Sequence, residues 1–114
     1  MSDPTTESEK RRLYHRIRYP LPERPKFQCA DQICAVLDIS ARGLRYAIVG
    51  DALPNPHDLI KGILCCRRSA PVNIEGTVMR VQNGTIALYL HQEIPFTVLV
   101  AEQRYLHQRY PMWS

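Results

Sequence analysis

From Lys26 to His91 the apolar residues come in short runs rich in Val, Ile, Leu and Tyr, separated by polar links that carry turn-forming residues. That pattern predicts strands rather than helices. Six are expected, over residues 26–30, 33–39, 44–49, 58–67, 73–82 and 85–91. Asn83-Gly84 is a tight-hairpin signal, and Gly43 closes a short link between the second and third strands. Pro54, Pro56 and Pro71 all fall between predicted strands, as they must if the interior of the sheet is to keep its hydrogen bonds. After Pro95 the period changes: TVLVAEQRYLHQRY is helix-compatible and Pro111 stops it, so a C-terminal helix is expected, with Phe96, Leu99, Val100, Leu106 and Tyr110 toward the barrel. Six short strands need closed edges, so the fold class is mainly β, a small six-stranded antiparallel β-barrel with a C-terminal α-helix.

Residues 1–25 differ from the rest, holding four of the nine prolines, many charges and little apolar periodicity. They are expected to form a flexible basic N-terminal arm, leaving residues 26–114 as the one folded domain, of a size suited to a chain of 114 residues. No run approaches the roughly 20 apolar residues of a membrane span, and the N-terminus is polar where a signal peptide would be apolar. The expectation is a soluble cytoplasmic protein with no membrane insertion.

Charge narrows the possible partners. The net charge is +4, and Lys10, Arg11, Arg12, Arg16 and Arg18 fall together without an intervening acid. Such a run suits an anionic partner, or is simply a solvated tail. Aromatics are 8% of the chain and do not cluster on one strand, which argues against a nucleic-acid polymer as the partner. The four cysteines, Cys29, Cys34, Cys65 and Cys66, have C-x4-C and C-C spacings that do not match a zinc site, so no metal and no cofactor are expected. No phosphate-binding glycine loop, nucleophile elbow or metal-spaced cluster points to an enzyme.

On the second predicted strand, strict alternation puts Ile33, Ala35, Leu37 and Ile39 on one face and Cys34, Val36, Asp38 and Ser40 on the other. The first set is expected to be core, and Asp38 and Ser40 to project outward. Arg80, which strict alternation places on one face with Val78 and Gln82, is a further candidate.

Two motifs stand out: Arg12-Leu-Tyr-His-Arg16, of the form RxxxR, and Asp38-Ile-Ser40-Ala-Arg-Gly43, of the form DxSxxG. In this order they resemble the signature of the PilZ family, and the similarity extends over nearly the whole chain. The resemblance implies a PilZ-type barrel that binds the second messenger cyclic di-GMP on its outer surface, with the arm folding over the ligand. It implies ligand-binding roles for Arg12, Arg16, Asp38, Ser40 and Gly43, and, at the corresponding position, Arg80. Arg11, just ahead of the motif, implies two intercalated ligand molecules. The residue chemistry suits this: arginine pairs bidentately with guanine O6 and N7 or with phosphate, and a carboxylate accepts from guanine N1-H and N2-H. Gly43 is expected to supply a turn conformation and room for arm or ligand. The reading is a receptor that passes its signal to a downstream protein; the alternative is a ligand-independent PilZ-type adaptor acting through protein contacts, in pilus or flagellar regulation for example.

Overall fold

Asn83 and Gly84 adopt φ of 53° and 75°, the left-handed pair that lets a two-residue turn follow the twist of its strands. Around such turns the computed structural model, which describes residues 15–113, builds its strands in sequence: β1 (Ile17–Arg18), β2 (Lys26–Cys29), β3 (Gln32–Ile39), β4 (Gly43–Ala47), β5 (Leu59–Cys65), β6 (Val72–Gln82) and β7 (Thr85–Leu90). A 3-10 turn, Leu21–Glu23, lies between β1 and β2, and helix α1 (Phe96–Arg109) follows β7. The strands are paired in the order β3-β2-β5-β6-β7-β4, and β4 returns to β3, so a six-stranded antiparallel barrel closes on itself. Closure leaves no long edge open to other chains. The two-residue β1 is an addition to this barrel, continuing along β3 where β2 ends.

Inward positions fill the interior with Phe27, Val36, Ile39, Leu44, Leu64, Val78 and Leu90, all essentially without exposure. Each such side chain contributes on the order of 1.5–3 kcal/mol by leaving water. Phe27 and Tyr46 stack obliquely at 5.0 Å between ring centroids. Helix α1 closes one end with Val98, Leu99 and Leu106, whereas Phe96, expected to face the barrel, is 56% exposed. Among the described residues no helix is long and apolar enough to cross a membrane.

Strict alternation fails on β3. Ile33 is 60% exposed while Cys34 and Val36 are buried, the reverse of the expected faces. The reason is a β-bulge between Val36 and Asp38: Val36 lies opposite Tyr46 and Asp38 opposite Arg45, leaving Leu37 as the extra residue. An extra residue exchanges the two faces beyond it. Ile39 therefore points inward, and Asp38 points outward, although the alternation that led to this expectation was in the wrong phase. The same device acts on β6, where a bulge between Val78 and Arg80 puts Val78 in the core and Arg80 outside, rather than both on one face.

Residues 17–25, expected to belong to the arm, are built into the fold. Ile17 and Arg18 pair with Ile39 and Asp38, Tyr19 N donates to the Leu37 carbonyl at 2.9 Å, and Val36 N donates to the Pro25 carbonyl at 2.9 Å. Tyr19 is 3% exposed, its hydroxyl donating to Glu102 Oε1 at 2.8 Å. The Tyr105 and Tyr110 hydroxyls both donate to Glu23 Oε1 at 3.2 Å. Prolines and charges suggested a free segment, but polar bonds to α1 and ladder bonds to β3 hold this one.

Candidate functional site

The register of the barrel sets a row of outward residues across its surface. Arg18 lies opposite Asp38, Asp38 opposite Arg45, Arg45 opposite Ala87, and Ala87 opposite Arg80. Neighbouring strands are spaced by about 4.8 Å, so Arg45 and Arg80 stand roughly 10 Å apart at the backbone with only a methyl group between them. The result is an open cleft of about 370 Å³, walled by Arg16, Arg45 and Arg80 and floored by Ala87, with Met79 and Asn83 toward the hairpin.

Asp38 sits at the edge of this cleft, under two of its cations. Its side chain is 3% exposed, and Oδ2 lies 2.6 Å from both Nε and Nη2 of Arg45, accepting from Nε. Its other oxygen, Oδ1, lies 3.6 Å from Arg16 Nε. A carboxylate this dry requires such partners, because a buried charge without them is costly. Arg80 makes no ion pair with another described residue and presents its guanidinium to the cleft.

Ser40 and Gly43 form the turn beside the cleft rather than its wall. Ser40 N donates to the Gly43 carbonyl at 2.9 Å, closing the β3-β4 turn. Gly43 is not among the residues with positive φ, so the expected special backbone conformation is not its role. Space is: a Cβ built on Gly43 would lie 2.9 Å from Ser40 Oγ. The glycine lets the serine side chain lie across the turn. Arg42, inside the same motif, points its guanidinium away and donates to the carbonyls of Leu90 at 3.3 Å and His91 at 3.0 Å, tying the turn to the β7-α1 link.

Of the residues singled out in the sequence, the structure therefore brings Arg16 and Arg80 to one cleft, with Asp38 buried beneath Arg16 and Arg45 at its margin and Ser40 and Gly43 in the adjoining turn. Arg11 and Arg12 lie outside the described residues. Arg45 and Ala87 went unassigned. Counting outward from the two turns would have found them: Asp38 and Arg45 are equidistant from the Ser40-Gly43 closure, and Arg80 and Ala87 from Asn83-Gly84.

The sequence profile of the PilZ domain family matches residues 10–108. The chain belongs to the PilZ domain family. PilZ domains are binding and adaptor domains, and as a family they are receptors for cyclic di-GMP. The chain is also similar in fold to the crystal structure of an uncharacterized Legionella protein, at a TM-score of 0.57 and 14% identity over 84% of this chain and 98% of that one. None of the curated proteins matches it.

Proposed function

We propose that the protein is a cyclic di-GMP receptor that takes its ligand in the cleft between Arg16, Arg45 and Arg80. The observation that carries this reading is the row across the barrel: guanidinium groups on both sides of Ala87, with the Asp38 carboxylate at one end. Arginine forks match guanine O6 and N7 and phosphate oxygens, and their planes stack on purine faces. The methyl floor leaves room for a flat ring to lie between Arg45 and Arg80. Asp38 is the acceptor for guanine N1-H and N2-H, with the Ser40 hydroxyl next to it.

Because Arg45 and Arg16 already occupy Asp38, ligand binding is an exchange: guanine takes the carboxylate, and the arginines swing to phosphate or ring. Arg11 and Arg12 lie a few residues before Arg16, at the base of the arm, and close over the bound dinucleotide. Their contacts exist only in the closed state, so the ligand orders the arm in proportion to that differential affinity. With Arg11 supplementing the motif, two intercalated molecules bind per chain.

Isothermal titration with cyclic di-GMP, with GTP and cyclic di-AMP as controls, tests ligand, selectivity and stoichiometry together. The expected result is selective binding near two ligands per chain, severely weakened by Arg12→Ala or Arg16→Ala without a large change in melting temperature. Saturation at one ligand per chain would overturn the intercalated pair, and unchanged affinity in the two variants would overturn the arm. The saturated state of Asp38 also favours a second reading, in which its pair with Arg45 is purely structural and the protein is a ligand-independent adaptor. Absence of any binding by the folded protein selects that reading.

A further inference from the structure

On one side of the molecule the exposed charges of the described residues are positive. Residues 94–113 contain a single acid, Glu102, which is fully buried with Oε2 2.6 Å from Arg68 Nε. The outer side of α1 exposes Arg104 and His107, and the neighbouring β1 exposes Arg18 next to Arg16; Arg109, two residues beyond His107, is on nearly the opposite side of the helix. Glu23 and Asp38, the acids on the segments bordering β1, are themselves buried. With the acids inside and the cations outside, the field over this face is positive.

A notch of about 110 Å³ opens within it between β1 and the C-terminal half of α1. Its floor is Ile17, Leu106 and Trp113, and its rim is His15, Arg16 and His107. Sites for nucleotide-sized molecules run to about 300–1,000 Å³, so this one fits a single side chain. Trp113 is 41% exposed but fixed: Nε1 donates to the Arg18 carbonyl at 2.7 Å, and the Arg18 guanidinium lies 5.4 Å from the ring centroid. A pinned tryptophan beside arginines around a side-chain-sized hollow has the composition of a protein-binding hot spot.

We infer that this face docks an acidic segment of a partner protein, which seats one apolar side chain in the notch and lays its carboxylates over Arg16 and Arg104. A protein segment suits the face better than a lipid surface. The apolar feature is concave, and Trp113 is tied down at its N–H and its ring rather than projecting for insertion. Arg16 lines both the notch and the ligand cleft, so the two sites share a wall. Resting on the receptor reading, this shared residue makes cyclic di-GMP a modulator of partner affinity.

Trp113 is the only tryptophan in the chain and reports on the notch directly. The full chain is titrated with an acidic heptapeptide bearing one central phenylalanine, with its serine-substituted and lysine-for-acid counterparts, and with vesicles containing phosphatidylserine. A saturable change in tryptophan emission is expected with the acidic phenylalanine peptide alone. It is weakened about tenfold in the Arg104→Glu variant, whose substitution is on the exposed helix surface. Response to vesicles without response to the peptide would overturn the inference in favour of a membrane surface, and response to neither, in protein that melts as wild type, would overturn it outright. Peptide binding is measured first without and then with cyclic di-GMP, whose own binding is followed by calorimetry on the same sample. Failure of the receptor reading thus leaves a signature distinct from failure of the docking inference.

Discussion

Asp38 is buried in the fold at the margin of the candidate site. Arg45 is its main partner and Arg16 the more distant one. Arg45→Ala is expected to leave the carboxylate buried against a single remote cation and to destabilise the protein by about 2–3 kcal/mol, below the full cost of an orphaned buried charge because Arg16 and water remain. Chemical denaturation measures this, and Asp38→Asn combined with Arg45→Ala should recover part of the loss. A second residue-scale test concerns Ala30, which turns the β2-β3 hairpin at φ 53°, a region where a Cβ is strained. Ala30→Gly should raise stability by about 1 kcal/mol, read as a melting temperature higher by about 4–8 °C. At this scale the sequence was partly transparent. Asp38 and Ser40 stood out because their motif is uncommon, whereas Arg45 looked like any strand arginine until pairing placed it opposite Asp38. The bulges at Leu37 and Met79 were hidden, since nothing in a run of mixed apolar residues marks which one is extra.

Among the elements, α1 was legible in extent and opaque in orientation. Pro95 and Pro111 bracket it, but its buried side includes Glu102, a residue type that normally marks the wet face. Glu102 is satisfied by the Tyr19 hydroxyl and by Arg68, whose guanidinium also stacks 3.6 Å from the Tyr105 ring centroid. Segment 17–25 is held by this same network, which is why composition alone assigned it to the arm. The network carries a pH signature. Burial, and then the neighbouring Glu102 carboxylate, push the Cys66 thiol from 9.0 up to about 12, and the Tyr19 phenol is raised by the same causes. Above pH 9 the unfolded chain releases the thiol proton that the folded chain retains. Stability attributable to Cys66 is therefore complete below pH 9 and declines by roughly 1.4 kcal/mol per pH unit until the folded thiol itself ionises near pH 12. Thermal melts between about pH 8 and 11 should show this decline, reduced in Cys66→Ala. Equal slopes in the two proteins would assign the alkaline loss to the other groups that burial raises, the Cys29 and Cys34 thiols and the Tyr19 and Tyr46 phenols.

For the whole molecule, barrel closure follows from six short strands that each need two neighbours, and it determines which side chains meet. Arg16, Arg45 and Arg80 come from β1's leading edge, β4 and β6, and only the closed sheet puts them around one cleft. Their charges add to a chain of net charge +4, while Asp38, the one carboxylate beside the cleft among the described residues, is buried beneath Arg16 and Arg45. Cyclic di-GMP carries two phosphate charges, so on the proposed receptor reading its approach to this cleft is electrostatically steered. Salt screens the long approach strongly and the desolvated contacts of the bound state weakly, because the Debye length falls from about 14 Å to about 4 Å between roughly 0.05 and 0.5 M. The association rate measured by stopped flow should then fall about tenfold over that range, with dissociation changing by no more than about twofold. Arg80→Ala should flatten the dependence, since it removes a cleft cation that no described acid neutralises. A salt effect carried by dissociation instead would mean that the ligand's phosphates are held mainly by exposed, screened contacts, and that the arginine-walled cleft is not where they rest.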